Sequence, residues 1–127
     1  MKQVIQGIEH TAIAAVDAAS LASWYVDVLG FAEIYRSPNA IFVKTPNGTM
    51  IEIINAEGAR TDAGMKTPGL RHLALTVTDF DSAYAKLQSK SVPFLGEPQE
   101  SKGNRTVFFT DPEGNILHLL YRPKPLG

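Results

Sequence analysis

The sequence predicts an α+β fold in which a β-α-β-β-β unit occurs twice along one chain. Three observations predict it: an internal repeat, a two-residue alternation of side chains at the start of each copy, and one helical segment after each alternation. The chain has 127 residues, of which 44% are hydrophobic and 20% are charged. Because neither copy of about 50 residues can bury a core alone, we expect a single domain over residues 1–127.

The repeat is visible when the first half of the chain is laid over the second. Residues 7–25 align with residues 69–87 at an offset of 62 residues, and residues 41–54 align with residues 107–120 at an offset of 66. The second copy therefore has a few more residues in its middle. These alignments define module one at about 5–54, a linker at 55–68 that is rich in Gly, Ala, Thr and Pro, and module two at about 69–121.

The first module is expected to begin with a strand, because side chains around His10 alternate with a period of two. A helix with an N-cap near Asp17 follows and ends at Gly30, and three further strands complete the module. The turn at 45–48 ends in Asn47-Gly48, which we expect to supply the positive φ angles of a tight hairpin. The expected bounds are 5–15 (strand), 17–30 (helix), 31–36, 40–44 and 49–54 (strands).

The second module repeats this order of elements. Its hairpin turn, which corresponds to 45–48 of the first module, is expected at 111–114. Residues 122–127, which contain two prolines, are expected to form a surface tail. The expected bounds are 70–77 (strand), 80–90 (helix), 92–97, 105–110 and 115–121 (strands).

The composition excludes several classes of protein. The formal net charge is −1, so no basic surface calls for nucleic acid or anionic lipid. The chain has no cysteine, which excludes disulfide scaffolds, thiolate metal sites and cysteine nucleophiles. No stretch reaches the ~18 apolar residues of a membrane span, and residues 1–6 lack the apolar run of a signal peptide. We therefore expect a cytoplasmic protein that binds a small molecule rather than nucleic acid or membrane.

Four polar side chains occupy two matched positions of the repeat. His10 and His72 lie in the first strand of their modules, and Glu52 and His118 lie in the last. If the modules pair about a pseudo-twofold axis, these side chains converge on one point. Three imidazoles and one carboxylate are suitable ligands for a divalent metal such as Zn²⁺, Fe²⁺, Ni²⁺ or Mn²⁺.

A structural explanation exists for each of these residues taken alone. A single histidine in a strand is more often a hydrogen-bonded core or edge residue than a ligand, and Glu52 could face solvent on an edge strand. The metal hypothesis is favoured because all three histidines of the chain fall in this set, at positions related by the repeat.

Four segments carry a resemblance to a known family: residues 8–13, residues 24–31, residues 71–75, and the turn and strand at 111–117. Together they resemble the glyoxalase/bleomycin-resistance/dioxygenase superfamily, also called vicinal oxygen chelate proteins, over nearly the whole chain. The resemblance implies eight strands that form one curved sheet around a divalent metal. It also implies a homodimer, with a site built from modules of one chain or of two.

Carried over by position, the resemblance makes His10, Glu52, His72 and His118 the metal ligands. The histidine at 118 is a departure, since most metal-binding members have a glutamate there. With Glu52 as its only carboxylate, the site has a formal charge of +1 around a dication, which favours an anionic oxygen ligand. Glu52 and His118 are the candidate general bases, and Arg105 is a candidate contact for an acidic substrate.

The leading functional hypothesis is a metal-dependent lyase or isomerase of the glyoxalase type, which stabilises an enediolate or a similar oxyanion of a small oxygenated substrate. A non-haem iron dioxygenase of the extradiol type is the competing enzyme, because two histidines and a carboxylate can form a facial triad. A metal-free protein that sequesters a small molecule, as resistance proteins do, is the third hypothesis. The sequence does not distinguish between these metals, between substrates, or between a site within one chain and a site shared by two.

Overall fold

The computed structural model of the chain describes residues 3–127. Residues 1–6 are predicted to lack a signal peptide, and of these Met1 and Lys2 lie outside the described residues. Two compact units divide the chain, the first ending at Ala59 and the second beginning at Arg60. Each unit contains one helix and one mixed four-stranded sheet, so the eight strands form two sheets of four. The α+β fold with two tandem β-α-β-β-β modules is confirmed, while the single domain stays a prediction.

The first unit has the strand order β1-β4-β3-β2, in which β1 pairs with β4 in parallel and the other neighbours are antiparallel. Its first and last strands are therefore adjacent although the rest of the module lies between them in sequence. The elements are β1 (His10–Ala15), α1 (Ala18–Asp27), β2 (Ala32–Arg36), β3 (Ala40–Lys44) and β4 (Met50–Asn55).

One face of the first sheet packs on α1 and forms the core of the unit. Helix α1 begins after Asp17, whose carboxylate accepts a hydrogen bond from the backbone N–H of Ser20 at 3.0 Å. The core side chains alternate with those of the opposite face, as the two-residue period requires. The buried residues of α1 are Leu21, Ala22 and Tyr25, and those of the sheet include Ile13, Ile41, Val43, Ile51 and Ile53. The other face of this sheet carries His10 and Glu52.

The second unit has the same arrangement, with strand order β5-β8-β7-β6 and a parallel pair formed by β5 and β8. Its helix begins after Asp79, which caps the backbone N–H of Ser82 at 3.0 Å as Asp17 caps Ser20. The elements are β5 (His72–Thr76), α2 (Phe80–Ser89), β6 (Gln99–Ser101), β7 (Asn104–Thr110) and β8 (Ile116–Tyr121). Residues 123–127 are exposed and form no strand.

The prediction of a strand at 92–97 is wrong. The structure has only a single bridge there, between Phe94 and Phe109, and the strand that pairs with β7 lies at Gln99–Ser101 instead. Pro93 and Pro98 lack the N–H that a strand donates to its neighbour, and pairing of this segment with β7 is limited to the backbone bonds from Leu95 to Phe108 and from Thr110 to Pro93. Its apolar residues still serve the core, since Val92 is buried.

Both predicted hairpins form, but glycine alone takes the left-handed conformation in each. The φ angles are +98° at Gly48 and +89° at its counterpart Gly114. Asn47, expected to share that role, is not among the described residues with a positive φ angle. Its side-chain oxygen instead accepts hydrogen bonds from Thr45 and Thr49, which closes the turn.

Each of the two helices has 10 residues. Within residues 3–127, no helix is long and apolar enough to cross a membrane.

Candidate metal centre

The first pair of ligand-type side chains lies on the exposed face of the first sheet. In the parallel register of β1 and β4, Ala12 is opposite Glu52, which places Glu52 diagonally next to His10 on the same face. His10 Nε2 lies 3.5 Å from Glu52 Oε1. The side chains are 35% and 23% exposed, so a small ligand can reach both.

A second carboxylate fixes the ring of His10. His10 Nδ1 lies 3.0 Å from Glu9 Oε1, and because a carboxylate only accepts, Nδ1–H is the donor. In the neutral ring this leaves the lone pair of Nε2 facing Glu52. Two acceptors 3.5 Å apart repel each other unless a cation, either a proton or a metal ion, lies between them. The pair is thus suited to a divalent metal.

The second pair consists of His72 and His118 on the equivalent face of the second sheet. Ala74 is opposite His118 in the parallel register of β5 and β8, and the two imidazole centroids are 4.9 Å apart. His118 is buried, and its Nδ1–H donates to the carbonyl oxygen of Leu119 at 3.1 Å. This bond again leaves Nε2 as the nitrogen with a free lone pair, the form that a metal requires.

The environment of His118 favours its neutral form. Burial lowers the pKa of His118, because desolvation disfavours the imidazolium ion. The hydrogen bond to Leu119 raises this pKa, and the positive charges of His72 and Arg122 lower it further. An imidazole with a lowered pKa stays available to a metal at a lower pH than an ordinary histidine.

A phenylalanine packs against each pair, and the sequence analysis did not assign either to the site. The ring of Phe42 is 5.3 Å from that of His10, and Phe108 is 5.4 Å from His72 and 4.5 Å from His118. The repeat contains the signal that would have found them, since both lie at the 66-residue offset that relates Glu52 to His118. Apolar walls of this kind lower the local dielectric constant and limit the access of water to a metal.

Arg105 has partners on the other face of the second sheet. It is opposite Tyr121 in β8, whereas Phe108 is opposite His118, so Arg105 and His118 point to opposite faces. Its guanidinium lies 2.9 Å from an oxygen of Asp81 and 4.4 Å above the ring of Phe80. The substrate contact of Arg105 stays a prediction, and these contacts give the residue a role in holding α2 to the sheet.

The structure brings the four predicted ligands together as two pairs, one in each unit. Among residues 3–127, no group of three or more His, Cys, Asp or Glu side chains is close enough to hold a metal ion. The complete set of four ligands therefore stays a prediction. In its chemistry, the set of one carboxylate and three imidazoles fits Zn²⁺, Ni²⁺, Fe²⁺ or Mn²⁺.

Comparison with known proteins gives consistent matches. The family model described as the Glyoxalase/Bleomycin resistance protein/Dioxygenase superfamily matches residues 7–119. The uncharacterized protein YaeR of Escherichia coli is 34% identical over 125 residues, covering 91% of this chain and 95% of YaeR. The solved structure of the oxidase ChaP-H2 has a TM-score of 0.76 and 27% identity, covering 95% of this chain and 96% of that one.

A further similarity is to the biphenyl-2,3-diol 1,2-dioxygenase 3 of Rhodococcus globerulus. It is 26% identical over 121 residues, which are 88% of this chain but 61% of the dioxygenase. That enzyme is therefore considerably longer than the part this chain matches.

Proposed function

Because the chain belongs to the glyoxalase/bleomycin resistance protein/dioxygenase superfamily, we propose that it is a divalent-metal-dependent enzyme of the glyoxalase type that acts on a small oxygenated substrate. The observation that supports the proposal most is the repetition of a ligand pair on equivalent strands. His10 lies beside Glu52 on β1 and β4, and His72 lies beside His118 on β5 and β8. A fold that only packed a core would have no reason to place polar pairs at both positions.

In this proposal His10, Glu52, His72 and His118 hold the metal. When bound, the metal supplies Lewis-acid stabilisation of negative charge that develops on the substrate's oxygen atoms. Since Glu52 is the only carboxylate among the four ligands, the site has a net positive charge and favours an anionic substrate oxygen.

Glu52 is the proposed general base, in a step for which its bond to the metal loosens during turnover. Its side chain is partly exposed on the open face of the sheet, where a substrate proton can reach it. His118 is the second candidate if it is not bound to the metal, because burial lowers its pKa and the bond from Nδ1–H to Leu119 leaves the lone pair on Nε2. Phe42 is opposite Glu52 in the register of β3 and β4, and Phe108 packs against the ring of His118, so an aromatic ring flanks each candidate base.

A metal analysis tests the proposal directly. Protein purified without chelator is expected to hold about one equivalent of a divalent metal per site, or to take it up when titrated with Zn²⁺, Ni²⁺, Mn²⁺ or Fe²⁺. The variant His72→Ala removes a proposed ligand at an exposed position and should lose most of this binding. Less than about a tenth of an equivalent, with no binding in the titration, would contradict the proposal.

A non-haem iron dioxygenase is the second candidate function, and the similarity to an oxidase and to a dioxygenase favours it. The four proposed ligands include the two histidines and one carboxylate that such iron sites use. Oxygen uptake with catechols that occurs with Fe²⁺ and not with Zn²⁺ would select this function over the first. A metal-free sequestering protein, the third alternative, predicts instead that His72→Ala binds the small molecule as tightly as the wild type does.

We also propose that the protein is a cytoplasmic homodimer. The chain covers nearly the full length of YaeR and of ChaP-H2, and a dimer would provide two copies of each ligand pair. Analytical ultracentrifugation of the purified chain measures this, and a monomer at micromolar concentration would contradict it.

A further inference from the structure

Glu9 contacts the ring of His10 although it is not itself one of the predicted ligands. It immediately precedes β1, and its Oε1 accepts the hydrogen bond of His10 Nδ1–H at 3.0 Å. The Glu9 side chain is 74% exposed, so no packing requirement explains its position. The visible consequence of the contact is that Nε2 of His10 faces Glu52.

Within the described residues 3–127, the second module shows no equivalent of this contact. The repeat places Arg71 at the position of Glu9, and a guanidinium has no acceptor to offer to an imidazole N–H. Arg71 instead donates to the carbonyl oxygen of Gly64 at 3.4 Å. The oriented ring of this module is that of His118, which uses the backbone oxygen of Leu119. The carboxylate contact is thus specific to the first module.

The charge of the centre gives this contact a further effect. A dication with one carboxylate and three neutral imidazoles has a formal charge of +1. A carboxylate hydrogen-bonded to the far nitrogen of a ligand histidine would make that histidine a more basic ligand, and its negative charge would favour binding of the cation through that histidine. Glu9 lies outside the four ligands, so the charge of +1 at the ligands and metal remains and the exposed carboxylate of Glu9 offsets part of it.

We propose that Glu9 is a positioning residue of the metal centre, which fixes the tautomer and orientation of His10 and supplies a negative charge that stabilises the bound cation. The inference rests on the proposed metal-dependent function. It assigns a role to a residue outside the four ligands, and it predicts that metal affinity depends on an exposed side chain that contacts the metal only through His10.

Zn²⁺ affinity measured by competition with a chromophoric chelator tests this role at about pH 7.5, where free imidazoles are neutral. Glu9→Gln keeps an oxygen acceptor and loses the charge, whereas Glu9→Ala loses both. We expect Zn²⁺ to bind about 10-fold more weakly to Glu9→Gln and up to about 100-fold more weakly to Glu9→Ala. The matched control is Glu57→Gln, which removes an equally exposed carboxylate of the same unit and should change the affinity less than about twofold.

A second measurement distinguishes orientation from general electrostatics. Nitrogen-15 NMR of the histidine rings in the metal-free protein should show neutral His10 protonated at Nδ1 in the wild type, and a mixture of tautomers in Glu9→Ala. Wild-type affinity in both Glu9 variants would overturn the inference and leave the proposed function intact. A wild-type protein that binds no metal would overturn both.

Discussion

Among single residues, His118 combines three properties that rarely occur together: it is buried, its tautomer is fixed by a backbone carbonyl, and cationic groups lie nearby. Each of them penalises the imidazolium form or selects the neutral tautomer with a free Nε2. His10 reaches the same tautomer by a different route, through the carboxylate of Glu9 on an exposed surface. In the neutral form of both rings, Nε2 is therefore the nitrogen with the free lone pair.

The lowered pKa of His118 makes the stability of the metal-free protein depend on pH. The unfolded chain takes up a proton on this residue near its ordinary pKa of about 6.5, while the folded chain does so only at lower pH. The stabilisation from this residue is therefore complete above pH ~6.5 and is lost as the pH falls toward the lower folded pKa. Urea unfolding in the presence of EDTA at several pH values should show a shallower acid slope for His118→Gln than for the wild type. The same slope in both proteins would contradict the effect, and His10→Gln is the control for the loss of an exposed ring.

The contacts of Arg105 indicate a structural role rather than a contact with substrate. Its guanidinium links β7 to Asp81 at the start of α2 and covers the ring of Phe80. We expect Arg105→Gln to lower the urea midpoint of the apo-protein slightly and to leave Zn²⁺ affinity unchanged, because the residue points away from His118. A double-mutant cycle with Asp81→Asn measures the coupling. A change in Zn²⁺ affinity without a change in stability would contradict this structural role.

At the scale of secondary structure, the parallel pairing of the first and last strands of each module places its two candidate ligands side by side. The pair β1–β4 and the pair β5–β8 have the same register. Ala12 is opposite Glu52 in the first module, and Ala74 is opposite His118 in the second. The hairpin before β8 fixes where that strand begins. Its Asp111 is buried and accepts from the backbone N–H groups of Glu113 and Asn115 and from the Asn115 side chain, at 2.8–3.0 Å. The Asp-Pro-Glu-Gly-Asn segment is thus a turn element rather than part of the chemistry.

Removal of the Asp111 carboxylate should therefore destabilise the fold. Asp111→Ala leaves donors of Glu113 and Asn115 without these acceptors in a partly buried turn, which we expect to lower the free energy of unfolding by about 1–3 kcal/mol. The control is Asn47→Ala in the first hairpin, where the turn is exposed and water can replace the lost acceptor. Urea denaturation measures both. Equal effects of the two substitutions would contradict the importance of burial at Asp111.

At the scale of the whole molecule, the duplication divides the candidate ligands equally between two units. His10 and Glu52 belong to the first unit, and His72 and His118 belong to the second. Two ligands alone seldom hold a divalent metal firmly, because structural and catalytic sites ordinarily use three or four protein ligands. The proposed function therefore requires that both modules contribute to one centre.

Substitution in either module alone should then abolish binding. We expect His10→Ala and His72→Ala each to weaken Zn²⁺ binding by at least about 100-fold, while both proteins keep their fold because the two side chains are exposed. Circular dichroism checks the fold, and chelator competition measures the affinity. If one variant kept the wild-type affinity, its module would not belong to the centre.

A mixture of these two variants separates the arrangements that the sequence left open. Recovery of Zn²⁺ binding after subunit exchange means that a centre combines the first module of one chain with the second module of another. Absence of recovery means that each centre lies within one chain, since every chain of the mixture then has a defective half.

The sequence by itself determined the two modules, their helix caps and hairpins, and the matched positions of His10, Glu52, His72 and His118. These features depend on short-range patterns, such as an Asp before a helix, a Gly in a turn or a two-residue alternation, which the repeat shows twice. Only the tertiary structure decided that Glu9 orients His10, that Phe108 lies against both histidines of its sheet, that Arg105 serves α2, and that β6 lies at Gln99–Ser101. Such contacts depend on which side chains the strand register and the helix packing bring together, and no local pattern encodes that choice.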